Sequence, residues 1–164
     1  MNFVVESERL LLRQFKLTDV GEYYQMTQDP LIQMYVPFAC ENTLEDTYEA
    51  FEMCYSVENN PYDFYLILEE KTSHKIVGAI ISTAIETYPL RLDVCILTAA
   101  EHRRNGYMNE ALVAFKDAIP KSTELLFTVN AENLASLKTI RKLPGIVEQL
   151  RPHNKHFIQF SLKT

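Results

Sequence analysis

Residues 91–120 read RLDVCILTAAEHRRNGYMNEALVAFKDAIP. The first nine have the branched apolar content of a strand. From Met108 the apolar residues recur at helical spacing, through Ala111, Leu112, Phe115 and Ile119, until Pro120 closes the run. Between the two lies the basic turn His102-Arg103-Arg104-Asn105-Gly106, in a chain of formal net charge −6. A helix N-terminus leaves backbone N–H groups unpaired and carries partial positive charge. A glycine there lets an anion approach the backbone, and Arg103 and Arg104 add charge. Strand, loop and helix together predict a pyrophosphate cradle; the alternative is a pair of arginines on a solvated loop. No G-x-x-x-x-G-K-[ST] run is present, and one glycine is too few for a dinucleotide fingerprint.

Working outward, DFYLILEE at 63–70 and KIVGAIISTAIE at 75–86 flank a polar turn and predict a hairpin. Upstream, RLLLRQF at 9–15 predicts a strand, with Thr18 capping a short helix that runs to about Met26. Asn42 and Glu45 have the form of a capping box. Behind them Leu44, Tyr48, Phe51 and Tyr55 give a helix to about Ser56. Downstream, LLFTVN at 125–130 predicts a strand. Leu134, Leu137 and Ile140 then mark a helix capped by Asn130 or Asn133, and VEQL and HFIQFSL close the chain as a hairpin around RPHNK. The expected fold is mixed α/β in one domain over residues 1–164.

The 164 residues suffice for one domain with a substantial core. The acidic balance argues against a nucleic-acid partner, and no apolar run of about twenty residues predicts a membrane span. Glu6 and Glu8 interrupt the N-terminal apolar residues, so a signal peptide is not expected. Cys40, Cys54 and Cys95 are odd in number and lack C-x-x-C spacing, so neither a disulfide framework nor a metal site is expected, and a reducing cytoplasm is the expected location.

The loop RRNGYM resembles motif A of the Gcn5-related N-acetyltransferases (GNAT), Q/R-x-x-G-x-G/A, with Arg103, Gly106 and Met108 in register. SERLLLR at 7–13 and ENLASLKTIRK at 132–142 resemble the opening and the E-N-x-x-S signature of its RimJ/RimL-like branch. The resemblance implies a mostly antiparallel mixed sheet in which two parallel strands, here 91–99 and 125–130, splay apart to admit acetyl-coenzyme A. It places pantetheine beside Leu97, Thr98 and Ala99. Pyrophosphate falls at the loop of Arg103, Arg104, Asn105, Gly106, Tyr107 and Met108, and Asn133 binds pantetheine or caps its helix.

It further implies direct acetyl transfer to a primary amine, either a protein N-terminus or a small molecule, by a monomer or homodimer with no metal. Such a reaction needs a base, an oxyanion donor and an acid for the thiolate. Asp93 stands where the branch often has a glutamate and is a candidate base, or alternatively a strand-edge carboxylate; Glu86 is a weaker candidate. Backbone N–H groups near Val94 to Ile96 are the implied oxyanion donors. Many family members use a tyrosine as the acid, and its position here is Ile140, so Ser136 is the candidate in its place. Three departures support a rival reading as a non-catalytic coenzyme A-binding or regulatory module: Met108 for Gly or Ala, Cys95 for a glycine that helps the strand bulge, and the missing tyrosine.

Overall fold

The computed structural model describes residues 3–56, 61–149 and 156–164. Strands β1 (Val4–Glu6), β2 (Leu10–Gln14), β3 (Phe64–Glu70), β4 (Ile76–Thr87), β5 (Leu90–Thr98), β6 (Glu124–Asn130), β7 (Val147–Gln149) and β8 (Phe157–Lys163) form one sheet. Its order is β1-β2-β3-β4-β5-β6-β8-β7. Every neighbouring pair is antiparallel except β5 and β6. Among the described residues five α-helices accompany it: α1 (Val20–Thr27), α2 (Pro30–Tyr35), α3 (Leu44–Ser56), α4 (Tyr107–Ala118) and α5 (Leu134–Ile140). The mixed α/β class and the expected hairpins follow. The tip at 151–155 lies outside the described residues.

Alternation along β5 divides the core in two, because successive side chains of a strand leave by opposite faces. Leu92, Val94 and Ile96 join the cluster under α4 and α5, with Met108, Leu112, Phe115, Leu137 and Ile140. Cys95 and Leu97 join the opposite cluster, where Val20, Tyr23 and Met26 of α1 and Phe51 of α3 cover the sheet. A functional group on an odd-numbered residue of β5 therefore faces α1 and α3.

Several local expectations are corrected. Thr18 does not cap α1; it lies within a 3₁₀ turn, Leu17–Asp19. The Asp19 carboxylate accepts the Lys16 N–H at 2.8 Å and is gripped by Arg13 at 2.7 Å, so a buried ion pair fixes this corner. Asn42 does not cap α3. Thr43 immediately precedes the first helical residue, and its Oγ1 accepts the Asp46 N–H at 3.0 Å. Of the two caps considered for α5, Asn133 serves, its Oδ1 accepting the Ser136 N–H at 3.1 Å. Two elements were not anticipated. The edge strand β1 has only three residues. Helix α2 starts at Asp29-Pro30, a capping side chain followed by a proline at the first helical position.

Candidate active site

Strands β5 and β6 pair at only three rungs, Arg91↔Glu124, Leu92↔Leu125 and Asp93↔Leu126. Arg91 Nε donates to Glu124 at 2.8 Å and clamps that closed end. Beyond Asp93 the strands part: β5 continues against β4 to Thr98, while β6 continues against β8 to Asn130. Cys95 in place of the expected glycine has not closed this opening.

The ladder between β4 and β5 fixes which main-chain groups face the gap. Ala99 N–H donates to Val77 O at 3.1 Å. In an antiparallel pair, alternate residues turn both N–H and C=O toward the same neighbour. Ala99, Leu97, Cys95 and Asp93 thus turn toward β4, and Thr98, Ile96 and Val94 turn toward the side from which β6 has departed. Gly78 makes this approach possible, since a Cβ there would lie 2.4 Å from Leu97 O. Of the three residues expected beside pantetheine, Thr98 presents its main chain to the opening, and Leu97 and Ala99 face β4. Val94 and Ile96 are the donors presented within the stretch expected to serve an oxyanion.

The loop at the far end of β5 is held from several sides. Gly106 adopts φ +80° as the residue before α4, a conformation open to glycine at little cost. Arg104 is also left-handed, at φ +66°, and exposed. Met108 is buried in the α4 core, so its side chain points away from the loop and its size does not fill the cradle. The first intrahelical bond is Glu110 N–H to Gly106 O. The N–H groups of Gly106, Tyr107 and Met108 therefore have no helical acceptor, as at any helix start.

Arg9 braces the loop from outside. It donates through Nη1 to Asn105 O at 3.0 Å and through Nε to Glu110 at 2.7 Å, and its guanidinium lies 4.4 Å over the Tyr107 ring. Ser7 Oγ also donates to Glu110, at 2.7 Å. Burial raises the Glu110 pKa, but the bonds from Ser7 and Arg9 outweigh it and hold the carboxylate ionised. Arg9 thus offsets the acidic charge that Glu110 brings to the first turn of α4. Tyr107 donates its hydroxyl to Glu70.

Arg103, expected as a free cation, instead pairs with Asp29 at 2.7 Å. Asp29 also caps α2, accepting from Leu31 and Ile32. At its other end α2 is tied to β6's exit, where Tyr35 OH donates to Glu132 O at 3.4 Å. Helix α2 consequently bridges from the end of β5 to the end of β6, across the mouth of the opening.

Ser136 and Asn133 sit at the start of α5, which follows β6. Asn109 of α4 donates to Thr139 O at 2.7 Å and couples the two helices. Ile140 is core. Asp93, on the odd face, enters a cleft of about 330 Å³ together with Cys95 and Thr83 of the sheet. Its residue stays open to solvent, yet desolvation by the surrounding wall raises its carboxyl above the ordinary aspartate range. Cys95 is pushed up to about 12, chiefly by burial, and is an inert thiol. Glu86 is not in this cleft; it pairs with Arg91 near the hairpin end at 3.2 Å. Sequence reasoning does not single out Arg9, Asp29 or Glu110, although Asp29-Pro30 is a legible helix start.

A strand pair opening beside a free helix N-terminus accords with the comparisons. The acetyltransferase (GNAT) domain family matches residues 9–144, and this chain belongs to that family. No curated protein sequence matches it. Among solved structures, a GNAT-family acetyltransferase from Bacillus anthracis is 19% identical, with a TM-score of 0.78 and 98% of each chain covered. RimL, a ribosomal L7/L12 alpha-N-protein acetyltransferase, is 14% identical at a TM-score of 0.80, covering 100% of this chain and 96% of its own. FdhC, a nucleotide-linked sugar GNAT, is 15% identical at 0.78, covering 99% and 91%. At these identities the likeness is one of fold, and the RimL match is consistent with the RimJ/RimL-like resemblance.

Proposed function

We propose that the protein is an acetyl-coenzyme A-dependent N-acetyltransferase acting on a primary amine by direct attack in a ternary complex. The observation that carries this reading is the parting of β5 and β6 after Asp93, beside the unpaired N–H groups at the start of α4. Those features fit the cosubstrate: a strand edge for an extended amide-bearing arm, and a glycine-capped helix end for a diphosphate. Acetyl-coenzyme A supplies an activated thioester acyl group.

The chain's own groups supply the rest. Gly106, Tyr107 and Met108 donate backbone N–H groups to the pyrophosphate, with Arg104 adding exposed charge. Asn105 carries the bend, and Arg103 trades its bond to Asp29 for the anion. Thr98 presents main-chain partners to pantetheine, with Leu97 and Ala99 setting its strand and Asn133 fixing the start of α5. Val94 or Ile96 N–H stabilises the charge developing on the carbonyl oxygen. Asp93, directly or through water, takes the amine proton, and desolvation raises its pKa, the direction that makes a carboxylate a stronger base. Ser136 donates a proton to the departing sulfur. The acceptor is a protein N-terminus or a small amine, the protein works as a monomer or homodimer, and its place is the cytoplasm. Among the described residues no helix is long and apolar enough to cross a membrane.

Two grounds for a non-catalytic module weaken, because Met108 is buried and the strands part despite Cys95. Calorimetric titration with acetyl-coenzyme A tests the reading. Saturable binding that weakens at least threefold in Arg103→Ala supports it, and absence of binding overturns it.

A further inference from the structure

The cleft beside Asp93 is chemically one-sided. Five of its lining residues are aromatic: Phe15, Tyr23, Phe38, Phe51 and Tyr65. Phe15 stacks on Phe51 at 4.7 Å, and Tyr23 meets Phe51 edge-on at 5.1 Å, so the floor is a packed cluster before any ligand arrives. Phe38 stands at 71% exposure on the short turn before α3, an apolar ring held largely in water. The ionisable side chains that reach the cleft, apart from the tyrosines and the inert Cys95, are two carboxylates, Asp93 and Glu41. Its described lining includes no lysine, arginine or histidine.

Resting on the acetyltransferase reading above, we propose that the acceptor is an amine cation carried on a compact aromatic or branched apolar group with no carboxylate of its own nearby, and that Glu41 selects it. A buried apolar wall rewards the apolar body, and aromatic faces attract a cation. The cleft's volume of about 330 Å³ is at the small end of ligand sites, which run from about 300 to 1,000 Å³. That matches a side chain of phenylalanine size better than a large sugar or nucleotide. A free amino acid would bring its α-carboxylate into a cleft that offers two like charges and no cation, a desolvation cost without compensation.

Glu41 and Asp93 then divide the work. Glu41 holds the ammonium form as it enters, and Asp93 accepts the proton whose loss frees the nitrogen lone pair. The nitrogen bonds to the acyl carbon and the carbon–sulfur bond breaks. Ser136 protonates the departing thiolate and recovers its proton, through solvent, from the second N–H lost as the amide forms, and Asp93 returns its proton to solvent.

Two sources carry this chemistry, a free arylalkylamine and a peptide N-terminus beginning with an apolar residue. The test is an NMR titration of the whole protein without cosubstrate, using phenylalanine amide, phenylalanine, phenethylamine and a Phe-Ala-Ala amide. The amide is expected to bind at least tenfold more tightly than phenylalanine. Glu41→Gln should shrink that ratio below threefold and leave the acetyl-coenzyme A dissociation constant within twofold. Glu41→Asp, which keeps the charge, should restore most of the ratio. Equal binding of phenylalanine and its amide, or an unchanged ratio in Glu41→Gln, overturns the proposal. Tighter binding of the tripeptide than of phenethylamine assigns the peptide source, and the reverse assigns the free amine. The amine titrations omit acetyl-coenzyme A, whose dissociation constant is measured separately, so the selectivity ratio is independent of whether the protein binds the cosubstrate.

Discussion

Replacing Gly78 with alanine puts the separation of β4 and β5 to a direct test. The new Cβ would lie 2.4 Å from Leu97 O and 3.4 Å from Leu68 Cδ1. The nearer contact is backbone, held by the Ala79↔Leu97 rung and the Ala99-to-Val77 bond, so a side-chain rotation cannot relieve it. Either the strain stays, at about 1–3 kcal/mol for overpacking, or β5 moves and forfeits hydrogen bonds worth about 0.5–1.5 kcal/mol each. Either route, the second through the two contacts named, leads to a loss of roughly 1–3 kcal/mol. For a domain of this size each kcal/mol moves the melting temperature by about 2–4 °C, which gives a fall of roughly 2–12 °C. The displaced segment carries Ile96 and Thr98, whose main chain faces the opening. Acetyl-coenzyme A affinity, titrated well below the melting point, is therefore expected to fall about tenfold, equivalent to about 1.4 kcal/mol. Gly21 is the control: nothing lies within 4 Å of its Cβ position near the start of α1, and alanine there should stabilise by about 0.5–1 kcal/mol. Scanning calorimetry of both variants decides the matter. A Gly78→Ala protein melting within about 2 °C of wild type would refute the close approach, since that is less than 1 kcal/mol.

Three further substitutions have defined expected outcomes. Asp93 has a native pKa above its unfolded value near 3.9, so ionisation opposes folding once the pH exceeds that value. Asp93→Asn should accordingly stabilise at pH 7 and change nothing below about pH 3, read as denaturant midpoints. The same substitution should abolish the rise of kcat/KM with pH. Ser136→Ala should lower kcat by about 10²–10⁴, the range for lost general acid catalysis, with unchanged acetyl-coenzyme A affinity; a wild-type rate would remove Ser136 from the mechanism. Asp29→Asn keeps an oxygen to cap α2 but releases Arg103, so cosubstrate affinity should rise by up to about fivefold, close to 1 kcal/mol for a partly exposed ion pair. Added salt should shrink that gain, and calorimetry at two ionic strengths measures it.

The three sequence motifs owe their joint force to contacts that no single stretch of sequence displays. Ser7 and Arg9 of the first motif hold Glu110, and Arg9 also holds Asn105, so the opening strand braces the loop of the second. Asn109 reaches Thr139, within the third. Periodicity could place the strand and helix on either side of Gly106, because a period of 2 or 3.6 is local information. It could also place Asp93 and Cys95 on one face and Val94 on the other. It could not show that Asp29, 74 residues from Arg103, would neutralise the cation read as free, because ion pairing depends on the tertiary path of α2. Nor could it show that Met108 turns inward: helical spacing placed it in the apolar stripe, while the motif register placed it at the anion, and both descriptions hold for different atoms of one residue. Its side chain packs under α4 and its backbone N–H faces the loop. A substitution that looks disqualifying by residue type is therefore compatible with the site wherever the chemistry is done by main chain. Asp93 and Ser136 differ in this respect, since their proposed roles need particular side-chain atoms, and they are the positions at which activity must be tested.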